Sequence, residues 1–199
     1  SYVSDPANPT PYVADYATSR RAPGDWLARN QSFLGTREDT VTFAMPALTE
    51  DLAVAGPVEA DLWISTTGTD CDLVVSLIDE YPQGTDAKTA SGQSMAGYQH
   101  MVRGNIMRAR FYQSFEKPVP LVPGKATRIR FQLNDVMHTF KKGHRVMIRV
   151  QSSWFPIADR NPNQFLDIRR AKADDFRKAT ITIHTGGGTA SAVRVSRRN

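Results

Sequence analysis

HRVMIRVQSSWFPIADRNPNQF, residues 144–165, carries a strand pattern straight into an aromatic, proline-stiffened loop. Val146, Ile148 and Val150 alternate with Arg145, Met147, Arg149 and Gln151, a period of two that sets the first group against a core and the second away from it. Past Ser152 and Ser153, Trp154, Phe155 and Pro156 make a conformationally fixed tip. Asp159, Arg160 and Asn161 then supply an acceptor, a fork of donors and an amide ahead of Pro162. Such a loop clamps its own backbone or faces a partner, and it holds no nucleophile with an activating base.

Working outward, strand signals recur at residues 41–44, 58–66, 72–80, 105–113 and 127–133, and again at Ile181 with Ile183 and Val193 with Val195. Ala55-Gly56-Pro57, Val122-Pro123-Gly124 and Lys141-Lys142-Gly143 read as compact breakers, and residues 82–97 as a long polar excursion. One or two helical turns fit residues 171–178. About nine strands with almost no helix predict an all-β fold, a two-sheet antiparallel jelly-roll sandwich over residues 33–199. Residues 1–32, punctuated by Pro6, Pro9, Pro11 and Pro23, read as an extended connecting arm. Tyr12, Tyr16, Trp26 and Leu27 make that arm too apolar for a free linker, so it is expected to lie against its own domain or another.

A chain of 199 residues with 40% hydrophobic and 23% charged residues is long enough for one well-filled core. It contains no apolar run of roughly 18 residues that would predict a membrane span. The first residue is Ser1, so the sequence reads as a fragment or processed piece. The single Cys71 allows neither an internal disulfide nor a cysteine-rich metal shell and reads as a small buried residue. The net charge of +5 is scattered, which predicts no nucleic-acid partner. Arg108, Arg110, Arg128, Arg130, Arg145 and Arg149 fall on non-core strand positions and are expected to share a solvated or docking sheet face.

Gly92-Gln93-Ser94-Met95-Ala96 approximates a hydrolase nucleophile elbow, but no buried strand precedes it and no helix pattern follows it. Gly186-Gly187-Gly188 precedes a short tail and reads as a flexible hairpin or terminus. His100, His138, His144 and His184 show no metal-ligand spacing and no carboxylate cluster joining them, and His144 is read as a structural hydrogen-bonder. Asp70 and Asp72 offer hard oxygens, yet strand-entry hydrogen bonding explains them more simply. No cofactor or metal is therefore expected. Trp26, Trp63 and Trp154 keep a free-standing carbohydrate-binding module open as an alternative, although Trp63 reads as core.

Residues 2–12 (YVSDPANPTPY), 48–84 (LTEDLAVAGPVEADLWISTTGTDCDLVVSLIDEYPQG), 97–111 (GYQHMVRGNIMRARF) and 140–165 (FKKGHRVMIRVQSSWFPIADRNPNQF) closely resemble one family. It is the C-terminal domain of the α-amino acid ester hydrolases and glutaryl-7-aminocephalosporanic acid acylases, relatives of bacterial cocaine esterase and of Xaa-Pro dipeptidyl-peptidase. The resemblance implies a galactose-binding-like jelly roll that packs on an α/β-hydrolase domain of the same parent chain. The catalytic serine triad of that family has no counterpart in these residues, so the chain is expected to be inactive by itself. By the same resemblance Tyr12, Tyr16, Trp26 and Leu27 would wall the acyl or peptide substrate pocket. Trp154, Phe155, Asp159, Arg160 and Asn161 would fix the interdomain contact or the loop itself, with a local Asp159–Arg160 turn as one form of the latter. The resemblance further implies a periplasmic or secreted parent, a possible homo-oligomer, and an apolar docking patch centred on the Trp154 loop and the arm.

Overall fold

In a computed structural model, which describes residues 1–15 and 24–198, two antiparallel sheets pack as a sandwich. The strands are β1 (Tyr2–Ser4), β2 (Thr40–Ala44), β3 (Leu52–Thr66), β4 (Asp72–Glu80), β5 (Gln99–Arg108), β6 (Thr127–Phe140), β7 (Arg145–Gln151), β8 (Ala179–Ile183) and β9 (Ala192–Arg194). One sheet runs β1-β8-β3-β6, with β9 also on β3, and the other runs β2-β7-β4-β5. This is the all-β jelly-roll sandwich that the alternation predicts. Val58, Ala60, Leu62 and Ile64 of β3 point inward against Ile129, Phe131 and Leu133 of β6 and against Leu73, Val75 and Leu77 of β4. Fully burying each large aliphatic side chain stabilises the fold by about 1.5–3 kcal/mol.

Several boundaries differ from the sequence reading. Ala55-Gly56-Pro57 does not break the chain. It forms a bulge inside the fifteen-residue β3, where the register to β6 shifts between Pro57 and Glu59 and Gly56 takes φ 103°. β5 is displaced toward the N-terminus of its expected span because the Arg110 amide bonds Asp70 Oδ1 at 2.9 Å instead of a strand partner. Part of the proline-rich arm is itself a strand, since β1 pairs with β8 at the edge of its sheet. The helical turn expected near residue 174 is a short 3-10 turn, Ala173–Asp175. Trp63, expected in the core, is half-buried on the outer face of β3 opposite Arg128.

The most consequential difference lies on β4 and β7. All nine residues of β4 are buried, so the outer face of its sheet is covered as well as the inner one. Met147, Arg149 and Gln151 of β7, expected away from the core, are buried too. A second apolar cluster of Tyr12, Val13, Val74, Met101 and Trp154, with Trp26 and Ile106 against it, provides the cover. Of the expected buried set, Val150 is buried, whereas Val146 and Ile148 are half-buried. They line an apolar mouth between β2 and β9 with Phe43, Met45, Phe140 and Val195.

Candidate interdomain face

The strand β7 ends where Gln151 Nε2 donates to the Ser153 carbonyl oxygen at 2.7 Å, turning the chain into the Trp154 loop. The arm joins this loop by backbone: the Tyr12 amide donates to Phe155 O at 3.1 Å and the Phe155 amide to Thr10 O at 3.0 Å. The Phe155–Pro156 peptide is cis. Trp154 is buried beneath the arm, with Trp26 edge-on to it at 5.4 Å between centroids and Tyr12 edge-on to Trp26 at 5.6 Å. Leu27, by contrast, is 51% exposed and borders a shallow groove with His100, Arg103 and Asn134.

This arrangement corrects the expected docking patch. Trp154 and Tyr12 are consumed inside the monomer, holding the arm to the sheet, and neither presents an apolar surface. Of the four residues assigned to a pocket wall, Tyr12 supports Trp26 from below and Leu27 faces outward, while Tyr16 lies outside the described residues. The three tryptophans offer no flat sugar platform: Trp26 and Trp154 meet edge to face, and Trp63 sits on the other sheet.

Past the aromatic tip the loop enters a buried polar knot. Asn161 Nδ2 donates to Asp70 Oδ2 at 3.0 Å and to Asp72 Oδ1 at 2.8 Å. Arg110 Nε sits on Asp70 at 2.7 Å, and Arg108 grips Asp72 with two bonds of 2.8 and 2.9 Å while also reaching Asp159. Asp159 and Arg160 therefore do not form the local turn considered from sequence. Asp159 pairs with Arg108, whereas Arg160 donates to the Pro6 carbonyl at 2.9 Å and stacks over Phe176. Burial raises the Asp72 pKa, against the opposing pull of Arg108 and Asn161. Asp70 and Asp72 are thus hydrogen-bonding anchors at the entry to β4. Burial also pushes the Cys71 thiol up, which leaves it an unreactive packing residue.

Sequence reasoning missed Arg149. It is 1% exposed, and its guanidinium bonds only neutral acceptors among the described residues: Thr42 Oγ1 at 3.0 Å, Gln31 O at 2.8 Å and Gln99 Oε1 at 2.8 Å. Burial pulls its pKa down to about 10. A guanidinium's fixed fork suits this role, tying the end of the arm to β2 and β5 at once. Also missed was the carboxylate that joins two histidines. Asp79 Oδ1 lies 2.8 Å from His144 Nδ1 and Oδ2 lies 2.9 Å from His138 Nε2, with the Tyr81 ring over His144 at 4.3 Å. Neither partnership has a sequence signal, since the paired residues lie far apart in the chain.

The six arginines expected on one face are divided between the two sheets. Arg128 pairs with Asp61 and Arg130 with Glu59 on one, and Arg145 pairs with Glu80 on the other. Ser94 stands in an exposed turn, where its Oγ accepts from the Ala96 amide. Among the described residues no three His, Cys, Asp or Glu side chains are grouped to hold a metal, and no helix is long and apolar enough to cross a membrane.

A family model described as the X-Pro dipeptidyl-peptidase C-terminal non-catalytic domain matches residues 11–194. The chain is 28% identical over 186 residues to the cocaine esterase of Rhodococcus sp. (strain MB1 Bresler), covering 94% of this chain and 30% of that protein. Among solved structures, an alpha-amino acid ester hydrolase is similar at 39% identity and a TM-score of 0.89, over 99% of this chain and 32% of the other. An aminopeptidase from a marine sediment Thaumarchaeota archaeon is similar at 38% identity and the same TM-score of 0.89, over 100% of this chain and 33% of the other. The chain thus spans about a third of the length of these relatives.

Proposed function

The chain belongs to the family of X-Pro dipeptidyl-peptidase C-terminal non-catalytic domains, and from that premise we propose that it serves as the supporting domain of a serine acyl hydrolase or peptidase. In this reading an α/β-hydrolase domain of the same parent chain carries nucleophilic attack on an ester or amide carbonyl. The present domain packs on it and completes one wall of the acyl or peptide pocket. The observation that carries the proposal is the construction of the arm: Trp154, Trp26 and the Arg149–Gln31 bond fix it to the sheet, so that Leu27 is held outward on a rigid base. A wall residue on a rigid support shapes a pocket with little entropy lost on binding.

The test compares hydrolysis of a small α-amino acid ester by the 199-residue chain, by the full-length parent and by a parent carrying Leu27→Ala. The isolated chain is expected to be inactive, and the substitution is expected to raise KM more than it lowers kcat. Turnover by the isolated chain would place a nucleophile within it and overturn the reading. An unchanged KM in the Leu27 variant would remove the arm from the pocket wall.

A further inference from the structure

β2 reads TVTFA, without a charge along its length, and among the described residues it pairs with β7 alone. Natural edge strands usually carry a charge, a proline or a bulge that wards off a further strand. The Met45 amide is spent on Val146 O, so strand alternation turns the backbone of Ala44 and Thr42 outward. Across the flank β9 pairs only with β3 in the other sheet. Just beyond it, Ser196 O and the Arg198 amide are spent on β3, which turns the Val195 backbone outward. Between these two rims lie adjoining hollows of about 200 and 320 Å³ that share Phe43, Ile148 and Val193. No charged residue lines either hollow, and Phe43, Met45 and Val195 remain 39%, 51% and 38% exposed there.

Apolar walls with outward-turned backbone on both rims suit an extended peptide better than an acyl chain, which would bond neither rim. The direction of β1 indicates where that peptide comes from. β1 runs antiparallel to β8 with Tyr2 opposite Ile181, and Ser1 Oγ meets Thr182 Oγ1 at 2.8 Å. The next place along that edge faces Ile183, which borders the first hollow, and β9 continues the line of β8 along β3. Chain leading into β1 on this line enters the cleft. The matching family is a C-terminal domain that takes up about a third of each relative, so a parent of that kind supplies such chain. We propose that the cleft between β2 and β9 is the acceptor for an extended stretch of the parent that leads into β1. It seats alternate apolar side chains between the sheets and completes the sandwich as a further strand. The proposal takes from the functional reading only that this domain is part of a longer chain, and makes no use of the pocket wall.

Cysteine labelling decides it, with Met45→Cys as the reporter and Val195→Cys as a second in case the first fails to fold. Each is placed in this chain, in this chain lengthened by about ten parent residues ahead of Ser1, the upper length of an ordinary strand, and in the full-length parent. Cys71 is buried and stays silent. A maleimide is expected to label the lengthened chain and the parent at least about tenfold more slowly than the unlengthened chain, because the site then reacts only on local opening. Equal rates in the first two would overturn the proposal. Protection found only in the full-length parent would put another domain over the cleft, and protection of the unlengthened chain that grows with its concentration would put a second copy there. Either result overturns it as well. These rates do not depend on hydrolysis, so a Leu27 variant with unchanged KM would sink the pocket wall and leave the acceptor cleft standing.

Discussion

Trp26 meets Trp154 edge to face, with ring centroids 5.4 Å apart and planes at 79°. One ring comes from the arm and the other from the loop after β7, so this contact joins the two stretches that the family resemblance singles out. Edge-to-face pairs add about 0.5–1.5 kcal/mol beyond the area they bury. The arm is thereby part of the domain's second core.

Trp154→Ala empties the centre of that core. A loss of about 3–5 kcal/mol is expected, the range for deleting a large buried aromatic side chain. Urea denaturation of the variant chain measures it. A loss below about 1 kcal/mol would mean that the arm holds its place without the ring.

Gly104 lies against the same indole. A Cβ added there would stand 2.9 Å from Trp154 Cη2 and 3.0 Å from the Met101 sulfur. Gly104→Ala is expected to destabilise by about 1–3 kcal/mol through overpacking. The cost should shrink in a Trp154→Phe background, where the smaller ring leaves room. A double-mutant cycle showing simple additivity would refute the contact.

Arg149→Met keeps most of the side-chain volume but strands Gln31 O and Gln99 Oε1 in a buried site. Each orphaned acceptor costs about 1–3 kcal/mol. Arg149→Lys should recover only part of the loss, because one ammonium cannot reproduce three bonds in fork geometry. Equal stability of the Lys variant and the original chain, by urea midpoint, would contradict the clamp.

Burial first, and repulsion from His138 second, hold the His100 pKa below its ordinary value, with Asp79 opposing. The folded chain therefore binds this proton less readily than the unfolded chain, whose histidine titrates near 6.5. The contribution of neutral His100 is fully present above that value. It declines as pH falls from about 6.5 toward the lower folded pKa, with a slope of at most ~1.4 kcal/mol per pH unit. Stability measured at pH 7.5 and at pH 5.5 should fall more for the original chain than for His100→Asn, and equal falls would refute the assignment.

The two-residue period of β7 and β6, the turn residues between strands and the motif from His144 to Phe165 determined the all-β class and the family from the sequence by itself. These signals are local, because a strand's alternation and a turn's glycine are fixed by backbone geometry within a few residues. What covers each face is decided at a distance. Met147, Arg149 and Gln151 looked solvent-facing because a period of two separates two faces without saying that both are covered, and the arm residue that meets Arg149, Gln31, comes from more than a hundred residues upstream. The same holds for Asp79 between His138 and His144 and for Asn161 between Asp70 and Asp72. Only the tertiary structure chose these partners, because a buried charge or amide is satisfied by whichever group folding brings within hydrogen-bond reach.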